Sequence, residues 1–266
     1  MKNLPVLLIS GWAHGAEAMH PLAGPLADSH SVTSLSLAGT CISHGENGGI
    51  SSAYARTVSF HLEKSDRPAC IVGWSTGGIA AIEAAANYPE KVAGLVLLSA
   101  TARFCSTKNQ HRPQNDLPQK SQLFEQEYTA GVDSAVLRVM IRGLKRSPEA
   151  VIADFLSQAL YPVHIPEHEL AGRAKRALEH GTNPLIEGLQ YLERVDLRKA
   201  LPAIGVPCLI LHGRQDRIVP WEAGQYLASK LPASNVEFLP FAGHSLIEQC
   251  GKDLINQIEQ FVGSLR

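Results

Sequence analysis

Ala69-Cys70-Ile71-Val72-Gly73-Trp74-Ser75-Thr76-Gly77-Gly78-Ile79-Ala80-Ala81 is the stretch whose reading settles the architecture. Ala69 to Val72 is a continuous apolar run, as in a strand covered on both faces, and Thr76 to Asn87 is a helix former. Between them, Gly73-Trp74-Ser75-Thr76-Gly77 has the Gly-x-Ser-x-Gly spacing of a sharp strand-to-helix elbow, which lifts a serine hydroxyl above the sheet edge. Small residues flank the serine because strand and helix approach closely there. The helix N-terminus behind Ser75 favours negative charge developing on a bound substrate. A glycine-rich turn with an incidental serine is the bland alternative. The strand–turn–helix setting argues against it.

Outward from this elbow, short apolar runs recur at about Val6–Ser10, Ser31–Leu37, Gly94–Ser99, Pro207–His212 and Val236–Pro240. Helix-length amphipathic segments lie between them, at Met19–Asp28, Ser52–Lys64, Trp221–Leu231 and Ser245–Leu265. Such alternation predicts an α/β fold, a mostly parallel sheet of about six strands with helices on both faces. From about Arg103 to Leu201 the rhythm breaks: no strand is convincing, and Ser147-Pro148-Glu149, Ile165-Pro166-Glu167 and Asn183-Pro184 read as helix starts. We therefore expect a core of residues 1–102 and 202–266, with 103–201 as a helical lid inserted after the fourth strand.

The 266 residues carry a net charge of −1 and are 45% apolar. A large core follows, and whole-molecule charge supplies no reason to expect nucleic acid or an anionic membrane as partner. Five scattered cysteines, Cys41, Cys70, Cys105, Cys208 and Cys250, form no CxxC pair and suggest neither disulfides nor zinc. The apolar run at Pro5–Ile9 leads into Gly11-Trp12 and is too short for a signal sequence, so a cytoplasmic location and a monomeric state are expected. No metal-ligand spacing or phosphate loop appears; Gly45-Glu46-Asn47-Gly48-Gly49 reads as a polar turn, and no cofactor is implied.

A serine hydroxyl is a weak nucleophile that needs a base, itself oriented by an acid. Asp216 follows the run ending at Leu211, and His244 follows the last apolar run, in Gly243-His244-Ser245. Ser75, Asp216 and His244 thus close three different strands in the order Ser, Asp, His. Donors for a tetrahedral oxyanion are expected at the backbone N–H of Thr76, next to the nucleophile, and of Trp12, in the loop after the first strand. The rings of Trp12 and Trp74 are read either as apolar walls for an acyl chain or as core packing. Among the other histidines, His14 borders the site and His212 ends a strand, where it packs or bonds a neighbour. The remainder, His164, His168 and His180 included, read as ordinary surface or core residues.

With these residues in hand, the chain resembles the pimeloyl-acyl-carrier-protein methyl ester esterases of biotin synthesis, a branch of the α/β hydrolases. The likeness is carried by Leu8-Ile9-Ser10-Gly11-Trp12, Gly73-Trp74-Ser75-Thr76-Gly77-Gly78, Tyr88-Pro89-Glu90-Lys91-Val92 and Gly188-Leu189-Gln190-Tyr191-Leu192-Glu193-Arg194-Val195-Asp196-Leu197-Arg198. It runs nearly end to end. The resemblance implies hydrolysis of the methyl ester on carrier-bound pimelate, with the triad at Ser75, Asp216 and His244. Three departures stand out. Ser10-Gly11 replaces the usual His-Gly, and Ser36-Leu37-Ala38-Gly39-Thr40 replaces the usual Asp-x-x-Gly-x-Gly-x-Ser turn. The family's leading antiparallel hairpin is not evident, hence the six-stranded, essentially parallel expectation.

Within the insertion, Arg138, Arg142, Lys145 and Arg146 fall on one helical face with no acidic residue between them. They form either a docking stripe for an acidic acyl-carrier protein or a solvated basic face. The rival functions are a broad carboxylesterase or thioesterase on short soluble esters, an acyltransferase using the same triad, and a non-catalytic ligand-binding member of the fold.

Overall fold

The computed structural model describes residues 4–38, 40, 52–107 and 127–265. Six strands form one wholly parallel sheet: β1 (Pro5–Ile9), β2 (Ser31–Leu35), β3 (Ala69–Trp74), β4 (Val92–Leu98), β5 (Cys208–Gly213) and β6 (Ser234–Leu239), in the order β2-β1-β3-β4-β5-β6. The chain winds outward from β1 to β2, then crosses back to β3 on the other side. A crevice opens where the winding reverses, at the carboxyl ends of β1 and β3. All six residues of β3 are buried, as its unbroken apolar reading requires.

Alternate side chains of each strand enter two separate cores. Leu7, Ile9, Ile71, Leu95, Leu97 and Ile210 pack on the face covered by α2 (Ala53–Glu63), α3 (Thr76–Asn87) and α8 (Trp221–Lys230). Val6, Leu8, Cys70, Val72, Val96 and Leu98 pack on the other, against α1 (His20–Ser29) and α10 (Gly251–Ser264). The terminal segment read from sequence as one helix is two: α9 (Leu246–Gln249) precedes α10, whose first residue, Gly251, stands at φ +49°, a conformation a continuous right-handed helix cannot contain.

Between β4 and β5 stand α4 (Ser134–Leu144), α5 (Pro148–Leu160), α6 (Glu167–Ala177) and α7 (Asn183–Arg194). Ser147, expected to cap α5, makes no side-chain cap bond. Pro148 opens that helix, whereas Asp133 caps α4 by accepting from Ala135 N at 2.8 Å. The two ends of this helical stretch meet: Arg103 and Arg198 both pair with the Asp196 carboxylate, and Leu197 N donates to Ala102 O at 2.8 Å. That pairing gives the Val195-Asp196-Leu197-Arg198 segment a physical role. A second tie crosses the interior. The Glu83 carboxylate of α3 accepts from the Ser52 amide and hydroxyl, each at 2.6 Å, and from the Tyr191 hydroxyl of α7 at 2.9 Å. The polar turn read at Gly45–Gly49 lies outside the described residues. Among those described, no helix is long and apolar enough to cross a membrane.

Candidate active site

Ser75 occupies the sharp bend between β3 and α3, at φ 55° and ψ −119°. For a residue with a Cβ this is a costly conformation, on the order of 1–3 kcal/mol, and it survives because its surroundings over-determine it. The Ser75 amide donates to Leu98 O at 2.9 Å, and its carbonyl accepts from Gly78 and Ile79 at 2.9 and 3.2 Å. Helix α3 thus begins directly at the serine. A Cβ on Gly73 would lie 2.5 Å from Gly77 O, so strand and helix close this tightly only with glycine there. The loop after β1 passes on the other side, where a Cβ on Gly11 would lie 3.1 Å from Ser75 Cβ.

Asp216 follows β5, its side chain fully buried. Its Oδ1 accepts from the amides of Ile218 and Val219 at 2.8 and 2.9 Å, and its Oδ2 accepts from His244 Nδ1 at 2.8 Å. His212, at the end of β5, brings Nε2 to 3.3 Å from the same Oδ2 and 3.0 Å from Val219 O. Burial pushes the Asp216 carboxyl up, but the His244 charge and the bonds from His212 and His244 outweigh it and hold the group well below the usual carboxylate range. It is therefore an anion facing a ring N–H, which assigns the His244 proton to Nδ1 and leaves Nε2 as a base. That Nε2 is buried and carries no hydrogen bond from Ser75 or any other described residue. Such looseness is common before substrate tightens a site. Trp74, the residue before Ser75, donates its Nε1–H to His244 O at 2.9 Å and so ties the elbow to the histidine loop.

Thr76 follows Ser75 directly and the loop carrying Trp12 passes against it at Gly11; among the described residues neither the Trp12 nor the Thr76 amide is seen donating to a protein acceptor. The Trp12 loop is braced from within. His14 Nδ1 lies 2.8 Å from Trp12 O, and the hydroxyls of Ser10 and Ser36 donate to His14 O at 3.1 and 3.0 Å. Burial, against the opposing Trp12 bond, lowers His14 to about 4, so it is neutral near pH 7 with its proton on Nδ1. Ser10, one of the departures from the resembled family, thus helps to brace this loop. A narrow cleft opens beside Thr76 and Trp12, lined by Leu37, Tyr54 and Leu185 and by His180.

Several expectations change. The Trp74 ring is buried in the core facing α1 and α10, its N–H spent on His244, and is no wall of the cavity. Trp12 lines the cavity but is itself held, Nε1 donating to Leu185 O at 2.9 Å and its ring edge-on to Phe155 at 4.8 Å. Helix α4 ends at Leu144, so only Arg138 and Arg142 of the basic stripe lie on it, both exposed; Lys145 and Arg146 follow its end. Arg138 bonds Ser134 Oγ at 3.0 Å and lies 3.4 Å from Glu193 of α7, an acidic neighbour that helical spacing within α4 could not reveal. The contact of His212 with Asp216 depends on how the turn after β5 folds back, which sequence spacing does not show. Among the described residues no group of three metal-ligating side chains occurs.

Residues 5–249 match the family described as "alpha/beta hydrolase fold". A pimeloyl-[acyl-carrier protein] methyl ester esterase of Stenotrophomonas maltophilia is 28% identical over 263 residues, 98% of this chain and 93% of the relative. One of Neisseria meningitidis is 28% identical over 256 residues, 92% and 89% of the two chains. Among solved structures, an esterase from Exiguobacterium antarcticum superposes with a TM-score of 0.80 at 18% identity, covering 99% of this chain and 93% of its own. A bromoperoxidase from Bacillus anthracis does so with 0.79 at 18% identity, covering 98% and 92%. At such identities the superpositions establish the fold alone.

Proposed function

The chain belongs to the α/β-hydrolase fold family, and from that premise we propose that it is a serine carboxylesterase cleaving the methyl ester of pimeloyl-acyl-carrier protein in biotin synthesis. The observation that carries the chemistry is the 2.8 Å bond between buried His244 Nδ1 and Asp216 Oδ2, tied through Trp74 to the strained Ser75 elbow. The full-length likeness to esterases of that name supports the substrate.

In this reading Ser75 Oγ attacks the ester carbonyl while His244 Nε2 takes its proton, and the oxyanion is met by the amides of Trp12 and Thr76. Collapse expels the methoxy oxygen, which leaves as methanol with the proton from His244, and an acyl ester remains on Ser75. Water, deprotonated by His244, then attacks that ester and releases the free carboxylate. The anionic Asp216 stabilises the imidazolium formed in each half-reaction. The described helices between β4 and β5 act as the lid, Ala177 and Leu185 among them lining the cleft beside Trp12; residues 108–126 of the expected lid lie outside the described residues. Arg138 and Arg142, exposed on α4, provide the surface toward an acidic carrier.

The test is rescue of a biotin-requiring strain lacking its own esterase. The wild-type gene is expected to restore growth, and Ser75→Ala is expected to abolish both rescue and labelling of the purified protein by a fluorophosphonate. Rescue by Ser75→Ala removes the nucleophile. Labelling without rescue by the wild type removes the substrate but leaves a serine hydrolase of short soluble esters.

A further inference from the structure

We propose that His212 is a positioning residue, fixing through its Nε2–H the rotation of the Asp216 carboxylate that His244 needs; the inference rests on the triad reading above. Both atoms facing His212 Nε2 are acceptors, Val219 O at 3.0 Å and Asp216 Oδ2 at 3.3 Å. The other ring nitrogen, Nδ1, is buried with no hydrogen-bond partner. A proton on Nδ1 would be stranded, so the ring is the Nε2–H tautomer, its N–H bonded to Val219 O and within 3.3 Å of Asp216 Oδ2.

That donation completes the carboxylate's shell. The turn amides of Ile218 and Val219 hold Oδ1 but leave the group free to pivot about it. His212, entering from β5, approaches at 3.3 Å the same Oδ2 that meets His244 Nδ1 at 2.8 Å. The ring has no alternative seat: α8 passes so near that a Cβ on Gly224 would lie 2.8 Å from His212 Nδ1. Its bond to Val219 O also locks the turn whose amides grip Oδ1. A histidine merely filling core would not turn its one N–H toward both the carboxylate and the turn that holds it.

Two variants separate positioning from packing. His212→Phe keeps the ring shape and removes the donor, whereas His212→Gln retains a donor of similar reach. With a soluble chromogenic ester as substrate, His212→Phe is expected to lower kcat about tenfold at unchanged KM, the size of a lost bond to a charged group. His212→Gln is expected to recover most of that loss, and both proteins should unfold at temperatures close to the wild type. On the native protein labelled with ¹⁵N-histidine, the nitrogen shifts of His212 should report the Nε2–H tautomer, a reading that needs no variant to fold. Full kcat in a folded His212→Phe, or an Nδ1–H tautomer, overturns the proposal. Full activity in Ser75→Ala instead overturns the triad, and is recognised separately because the native protein then fails to label at Ser75.

Discussion

At Ser75 the backbone accepts a left-handed conformation, at φ 55°, that side-chain sterics oppose, and tight neighbours on both sides keep it there. The same loop system contains a second group under tension. His14, its ring 4.5 Å from that of Trp74, is lowered by burial to about 4 from 6.5 and takes up its proton late. Between those values the unfolded chain binds a proton that the native protein does not, so stability falls as pH is lowered through this window and the loss is complete below the folded value. The effect is at most about 3 kcal/mol. Urea unfolding between pH 7 and 4 should therefore show a weaker decline in His14→Phe than in the wild type; parallel curves would show that His14 is not the group responsible. The proposed triad of Ser75, Asp216 and His244 could be named from the sequence because each follows an apolar run, and the structure brings Asp216 and His244 within 2.8 Å. His212 was not legible as a partner of Asp216, because a four-residue separation across a turn says nothing about which way a ring points.

The helices between β4 and β5 are fastened at the carboxyl end of α5. Gln249 of α9 accepts from the Gly243 amide at 2.6 Å and donates to Leu160 O and Tyr161 O at 2.7 and 3.2 Å, while Ser245 N donates to Ala159 O at 3.0 Å. The carboxyl end of α5 is thereby bolted to the loop that carries His244. Gln249→Ala removes three hydrogen bonds of a half-buried amide, each worth about 1 kcal/mol net. The expected result is a melting temperature lower by several degrees and a kcat reduced severalfold at similar KM, read by calorimetry and steady-state kinetics. A variant with native kcat would mean that His244 keeps its place without the bolt. Sequence patterning located nearly every strand and helix at this scale, since burial and period are local properties. It missed the break at Gly251 and the ends of the basic stripe. The first is a single backbone angle, and the second depends on where α4 stops and on Glu193 arriving from α7.

For the whole molecule, a net charge of −1 leaves long-range attraction to local clusters. If Arg138 and Arg142 meet an acidic carrier, reversing both to Glu should raise KM for a carrier-linked ester about tenfold, more at low salt, while sparing a small soluble ester. Equal effects on both substrates would remove these arginines from recognition. The order of elements, the parallel sheet, the helical stretch after β4 and the succession Ser75, Asp216, His244 were determined by sequence alone. Those features follow from hydrophobic runs and turn residues whose meaning is local. Tertiary structure alone decided that the switch from β1 to β3 brings the Trp12 loop against Ser75. It also decided that the Trp74 ring faces the core under α1 and α10, and that one carboxylate is shared by two histidines. These are contacts between segments up to 170 residues apart, as from Trp74 to His244, and their geometry is set by how the layers close around the sheet.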